Sequence, residues 1–178
     1  MQPTLHGPTV TLRPATPDDF DGLQEIGSDP LVWAQHPAPD RWQKAAFRRF
    51  VDDGLASGGM LVAIDRAGGR LVGTSRFSTE FALTDEVEIG WTFVARDLWG
   101  TSTNREMKHL MLGHAFAHRP TVIFRIGAEN HRSRRAVEKI GARLIDRPHL
   151  SVVDGREVPY VTYAIARADF DGLLGVGS

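Results

Sequence analysis

Glu86-Val87-Glu88-Ile89-Gly90-Trp91-Thr92-Phe93-Val94-Ala95 is the stretch on which the fold turns. Val87, Ile89, Trp91 and Phe93 recur at period two, with Glu88, Gly90, Thr92 and Val94 between them, so the spacing predicts a strand with those two sets on opposite faces. A loop of small and polar residues follows, Arg96-Asp97-Leu98-Trp99-Gly100-Thr101-Ser102-Thr103-Asn104. It feeds a helix from Arg105 to about His118 whose buried stripe is Met107, Leu110, Met111 and Ala115. A loop entering a helix in this way offers unpaired backbone N–H groups and the positive end of the helix dipole to an anion such as a pyrophosphate. A Walker loop needs Gly-Lys-Ser/Thr, which is missing, and Thr103 and Arg105 do not supply the glycines of a dinucleotide fingerprint.

Working outward, Thr9–Pro14 alternates as a short strand. Thr16 then caps a helix with Pro17 at its first position and Phe20, Leu23 and Ile26 at helical spacing. A second helix is expected from near Asp40, carrying Phe47, Phe50, Val51 and Leu55 inward and ending at Gly58-Gly59. Met60–Asp65 and Arg70–Phe77 form a hairpin around Arg66–Gly69. Beyond the central unit, Thr121–Gly127 is a strand. Asn130 caps a helix containing Ala136, Val137 and Ile140, and Gly141 suits the left-handed position past its end. Arg143–Val153 and Glu157–Ile165 pair around Asp154-Gly155. The order β-α-α-β-β-β-α-β-α-β-β describes one mixed α/β domain spanning 1–178, with its core at about 9–166.

Composition narrows the function classes. The 178 residues suit one domain, and 42% hydrophobic with 24% charged residues is ordinary for a globular protein. A net charge of −1 gives no global attraction for nucleic acid. The basic cluster Arg125, Arg132, Arg134, Arg135, Lys139, Arg143 and Arg147 is what such a reading would rest on. Cysteine is absent, which excludes disulfides and thiolate nucleophiles, and the seven histidines form no metal-binding pattern, so no metal is expected. Neither a signal peptide nor a membrane span is evident, so a reducing cytoplasm is the expected location.

Two motifs carry a resemblance. Glu88-Ile89-Gly90-Trp91 with Trp99-Gly100 through Glu106, and later Asn130, Ser133, Ala136, Glu138, Lys139, Gly141 and Ala142, stand in the order and separation found in the GNAT superfamily. The chain resembles most the branch of ribosomal-protein N-terminal acetyltransferases, RimJ and RimL. The resemblance implies the acyl-CoA N-acyltransferase fold, an α/β mixed sheet of about seven strands with helices on both faces and a splay between the two central strands. It implies acetyl-CoA as co-substrate and a primary amine as acceptor, either a protein N-terminus or a small molecule. A homodimer is frequent in such enzymes. The alternative is a non-catalytic acyl-CoA-binding module or sensor on the same fold.

On that resemblance the pyrophosphate lies on Trp99, Gly100, Thr101, Ser102, Thr103 and Asn104, the pantetheine arm pairs near Phe93 and Val94, and Asn130 and Ser133 face the arm. One of Arg132, Arg134, Arg135 and Lys139, with Arg135 among the cofactor residues, meets the 3′-phosphate. Asn130 read by spacing alone is a helix cap, and the two roles are compatible. Three positions depart from the family pattern: Ser102 replaces a loop glycine, Asp97 replaces a Gln or Arg, and Val137 replaces a tyrosine that serves as general acid, which leaves Ser133 as the acid. Glu88 is the base expected for the amine, its other reading being a structural carboxylate bonded to Arg76 or a hydroxyl. Trp33, His36, Phe81 and Trp91 are expected to line the acceptor groove, with core packing as their other reading. Tyr160 and Tyr163 lie near enough on the last strand to close the site.

Overall fold

The computed structural model describes residues 1–153 and 155–170; Asp154 of the expected hairpin turn and the chain after residue 170 lie outside them. The strands are β1 (Leu5–His6), β2 (Val10–Pro14), β3 (Met60–Asp65), β4 (Leu71–Ser78), β5 (Glu86–Val94), β6 (Thr121–Gly127), β7 (Arg143–Val153) and β8 (Arg156–Ala166). The helices are α1 (Phe20–Gly27), α2 (Pro30–Trp33), α3 (Lys44–Ala56), α4 (Thr103–Phe116) and α5 (His131–Glu138). They build one eight-stranded sheet in the order β1-β2-β3-β4-β5-β6-β8-β7. The strand beyond the expected seven is the two-residue β1 paired to β2.

Core packing covers both faces, as predicted for helices on both sides. Val10, Leu12, Leu61 and Ala63 pack with Met107, Met111, Leu112 and Ala115 of α4 and Val137 of α5. Opposite, Phe20, Leu23, Phe47, Phe50 and Val51 of α1 and α3 pack on Met60, Val62 and Phe93. β3 is therefore apolar at successive positions because both its faces are covered. The helix expected near Asp40 begins later, as α3 at Lys44. Pro39–Trp42 forms a 3₁₀ turn ahead of it, whose last hydrogen bond is Gln43 N–H to Asp40 O. Glu106, the motif carboxylate of α4, ties that helix to β2 by accepting from the N–H groups of Thr9 (2.8 Å) and Val10 (3.0 Å).

Two irregularities shape the centre of the sheet. β5 and β6 are parallel but pair only at Glu86–Thr121, Val87–Val122 and Glu88–Ile123, beyond which the strands part. A bulge also shifts the β4–β5 register between Thr74 and Arg76, and Trp91 takes φ +52° there. A bulge adds one residue to a strand and reverses which face the following side chains take. The strict alternation expected through Phe93 is thereby overturned. Val87 and Ile89 face the α4 core, whereas Trp91 and Phe93 pack with Phe50 and Trp33 on the other face.

Candidate functional site

The parting of β5 and β6 opens a cleft of about 660 Å³. Its walls are the bulged limb of β5 from Ile89 to Val94, the free end of β6, the N-terminal half of α4 and one side of α5 along its length. At one mouth stands the loop before α4. Gly100 adopts φ +79°, and Glu106 N–H makes the first helical bond of α4 to Ser102 O. The amides of Thr103, Asn104 and Arg105 precede that bond, where a helix leaves its donors without internal partners; Thr101 Oγ1 accepts from Thr103 N–H at 3.3 Å. Asn104 lines the cleft with a buried Oδ1 that has no hydrogen-bond partner. The result is a polar, dipole-positive mouth leading into an apolar channel.

Glu88 stands at the fork itself, on the last residue pair before the strands separate. It is 3% exposed, and burial pushes its carboxyl up to about 7, opposed by the charge of Arg125. Arg125 Nη1 lies 3.9 Å from Oε2, which accepts no hydrogen bond. The expected alternatives, a bond to Arg76 or to a hydroxyl, are therefore not what holds this atom. Lys108 reaches the same region from the buried face of α4, donating from Nζ to Thr92 Oγ1 at 2.7 Å, and its burial lowers the ammonium to about 7. Lys108 lines the cleft whereas Glu88 is not among its lining residues; a carboxyl and an amine raised and lowered toward neutrality at such a place suit proton transfer.

The structure brings most of the predicted residues to this cleft. Phe93, Val94, Trp99, Gly100, Thr101, Ser102, Asn104, Asn130, Ser133 and Arg135 line it, and Thr103 is buried just inside the mouth. Asn130 is the cap expected, its Oδ1 accepting from Ser133 N–H at 3.2 Å. Beside the arm's expected partners near Phe93 and Val94, the Val94 carbonyl accepts from Trp99 Nε1 at 3.0 Å. Trp33, His36 and Trp91 line the cleft as well, but Trp33 is chiefly core, donating from Nε1 to Gly27 O and packing edge-on against Phe47, Phe50 and Phe93. His36 accepts from Ala38 N–H at Nδ1, and burial pushes its pKa down to about 3, so its imidazole is neutral.

Other expectations separate in space. Phe81 lies outside the cleft, with Arg125 stacked over its ring at 3.6 Å, so it steadies that guanidinium instead of lining the groove. Tyr160 lines the cleft, whereas Tyr163 is core and donates to Glu138 Oε1 at 2.6 Å. Arg134 turns away to Tyr163 Oη and the Ala128 carbonyl. Arg132 donates to the Val32 carbonyl at 2.7 Å and lies over the Trp99 ring, spanning from α5 to α2. Arg147 pairs with Glu86 and Arg143 with Asp169, so the basic cluster of the sequence is not one surface. Among the described residues no group of acidic and histidine side chains is arranged to hold a metal, and no helix is long and apolar enough to cross a membrane.

Comparison with known proteins follows the same lines. A family model, the acetyltransferase (GNAT) domain, matches residues 9–143. Curated proteins gave no match. Among solved structures, a GCN5-related N-acetyltransferase from Brucella melitensis superposes with a TM-score of 0.80 at 20% identity, over 97% of this chain and 82% of that one. RimJ from Mycobacterium smegmatis, in complex with CoA-disulfide, gives 0.68 at 20% identity, over 99% and 94%. Spermidine N-acetyltransferase from Vibrio cholerae, in complex with CoA and spermine, gives 0.65 at 14% identity, over 92% and 99%.

Proposed function

The chain belongs to the acetyltransferase (GNAT) family, and from that premise we propose that it transfers an acetyl group from acetyl-CoA to a primary amine, a protein N-terminal α-amine or a small-molecule amine. The observation that carries this reading is Glu88, a buried carboxyl with a free oxygen, placed where β5 and β6 part. The residues present fit the donor. The amides ahead of the first α4 bond and the φ +79° turn at Gly100 suit a pyrophosphate, and Asn104 supplies an unpartnered polar atom along the channel. Acetyl-CoA supplies an acyl carbon already activated as a thioester.

The chain's own residues then have separate tasks. Trp99, Gly100, Thr101, Ser102, Thr103 and Asn104 hold the diphosphate, and Arg135 or Lys139 at the α5 wall meets the 3′-phosphate. Phe93, Asn130 and Ser133 flank the arm, and backbone N–H groups at the β5 bulge polarise the thioester carbonyl. Glu88, whose pKa burial raises to about 7, accepts the proton of the acceptor ammonium through a water. The amine nitrogen bonds to the acyl carbon as the carbon–sulfur bond breaks, and Ser133 passes a proton to the departing thiolate and recovers one from the new amide nitrogen. The balance is one ammonium and one thioester to one amide, one thiol and one released proton. Trp33, His36 and Trp91 shape the acceptor side, with Phe81 acting through Arg125. RimJ, in complex with CoA-disulfide, and a spermidine N-acetyltransferase, in complex with CoA and spermine, share the fold, so the fold by itself does not fix the acceptor.

The test is acetyl-CoA consumption with and without an amine panel, read by thiol release and by mass of the acetylated product. Amine-dependent thiol release is the expected result. CoA binding with no amine-stimulated turnover across the panel overturns the reading in favour of a binding module.

A further inference from the structure

A second cavity, of about 520 Å³, lies between the segment 37–53 and the β7–β8 hairpin and shares Pro37, Arg41 and Trp91 with the donor cleft. Arg76 of β4 lines it. This side chain is 7% exposed, yet no carboxylate among the described residues comes within ion-pair distance of its guanidinium. Its Nε is buried with no hydrogen-bond partner, and its one hydrogen bond runs from Nη2 to the Phe50 carbonyl at 3.4 Å. The carboxylates of Asp53, Glu80 and Glu88 act on it only at longer range. The Trp91 ring lies 4.6 Å from the guanidinium carbon, and the φ +52° bulge is what turns that ring to this face.

A buried guanidinium left without an anion is costly, since desolvation is not repaid by a partner. Because Arg76 lines the cavity, an anion entering there would supply that partner. Cavity charge points the same way. Among the described residues that line it, Arg49, Arg76 and Arg156 outnumber Asp40 and Asp53, and Arg49, Asp53 and Arg156 stand on the exposed rim. A polyamine would meet mainly like charge here, whereas a planar carboxylate matches the guanidinium fork.

We infer that the acceptor is an amine carrying a carboxylate, with Arg76 as the receptor for that carboxylate and the wall shared with the donor cleft guiding the amine toward the fork. Trp91 stacks on the guanidinium and belongs to both walls, so a carboxylate held at Arg76 lies against the wall that the two cavities share, next to the donor cleft. The inference rests on the acetyl-transfer reading for the identity of the amine, but the anion site itself stands without it.

The experiment separates the two. N-acetylalanine and N-acetylalanine amide, which resemble product and its uncharged isostere, are titrated into the CoA-loaded full chain by calorimetry, and alanine, alanine amide and spermidine are compared as acceptors. The carboxylate form binds at least about tenfold more tightly than the amide, as a charge-assisted contact requires, and alanine exceeds alanine amide and spermidine in kcat/KM. Arg76→Gln loses the carboxylate preference while Arg76→Lys retains part of it, with thermal melting confirming that each is folded. Equal affinity of wild type for the two probes overturns the inference even where amines are acetylated. Preferential binding of the carboxylate without any turnover sinks the acetyl-transfer reading and leaves the anion site standing. If neither variant folds, the two wild-type titrations still decide the matter.

Discussion

Lys108 Nζ donates to Thr92 Oγ1 over 2.7 Å, linking the buried face of α4 to the limb of β5 just past the Trp91 bulge. The ammonium is enclosed by apolar neighbours, with the Phe124 ring 5.3 Å away. Burial lowers its pKa to about 7, with the Glu88 charge opposing. A base whose folded pKa is depressed contributes stability above its unfolded pKa, near 10.5, and loses it as pH falls through about 7. Lys108→Met is therefore expected to melt higher relative to wild type at pH 6 than at pH 9. Parallel melting curves across that range would show that Lys108 stays charged throughout.

Glu88 has the opposite sign. Its folded pKa is raised from 4.5 to about 7, so its contribution is fully present below pH 4.5 and is lost as pH rises through about 7. Glu88→Gln should gain in melting temperature over wild type between pH 5 and pH 8. Scanning calorimetry at the two pH values measures this directly.

In turnover, Glu88→Gln keeps the size of the side chain and removes the base. The expected drop in kcat is about 10²–10⁴-fold, with CoA affinity little changed. Wild-type kcat/KM should rise with pH through about 7, and the variant should lose that inflection. Activity within a few-fold of wild type over pH 6–9 would leave Glu88 a structural carboxyl.

Gly100→Val tests the mouth of the cleft. No atom outside its immediate neighbours lies within 4 Å of an added Cβ, so direct collision is not the mechanism. The φ of +79° is, because a branched side chain there carries about 1–2 kcal/mol of strain and shifts the loop. CoA affinity should fall while the melting temperature drops only by the roughly 2–8 °C that this strain implies, and calorimetry showing unchanged affinity would remove this loop from the donor site.

Asn130 and Ser133 are adjacent in space but should respond differently. Asn130→Ala removes the cap on Ser133 N–H and should cost about 0.5–2 kcal/mol of stability. Ser133→Ala leaves that bond in place, since the donor is backbone, and should lower kcat more than CoA affinity. A Ser133→Ala enzyme with full kcat would return that hydroxyl to a passive role.

For the 3′-phosphate, Arg134 is committed to Tyr163 and Ala128, and Arg132 to Val32, which leaves Arg135 and Lys139 on the cleft wall. Removing both should bring the affinities for CoA and dephospho-CoA together, from a wild-type gap of about 1.5–3 kcal/mol at low salt. A gap that survives the double substitution places the phosphate elsewhere.

Local chemistry was legible in the chain. Asn130 caps α5, Gly141 takes φ +89° after it, and β6 runs from Thr121 to Gly127, because caps, left-handed turns and apolar runs are set by near neighbours. Trp91 was misplaced because a bulge depends on how β5 meets β4, and period two carries no mark of it. Arg76 entered the sequence reading only as a possible partner for Glu88, since Phe50 and the cavity that define it lie far away in sequence. Lys108 was different. It precedes Met111 by three residues and Leu112 by four, so helical spacing already set it on the buried stripe, and a lysine there called for an explanation.

The three residue pairs between β5 and β6 have a mechanical meaning. Each half of the sheet, β1 to β5 and β6 with β8 and β7, is laced antiparallel along its length, and the two halves meet at a seam only three pairs wide. Hydrogen bonds alone would let the halves rotate about that seam. What resists is the layer beneath it, where α4 packs against β1, β2 and β5 of one half and β6 of the other, with Met107, Met111 and Leu112 in the core they share. The aperture of the fork is thus set by methionine and leucine volume under the sheet, out of reach of any ligand, and trimming that layer would loosen the jaws without touching a residue that lines them.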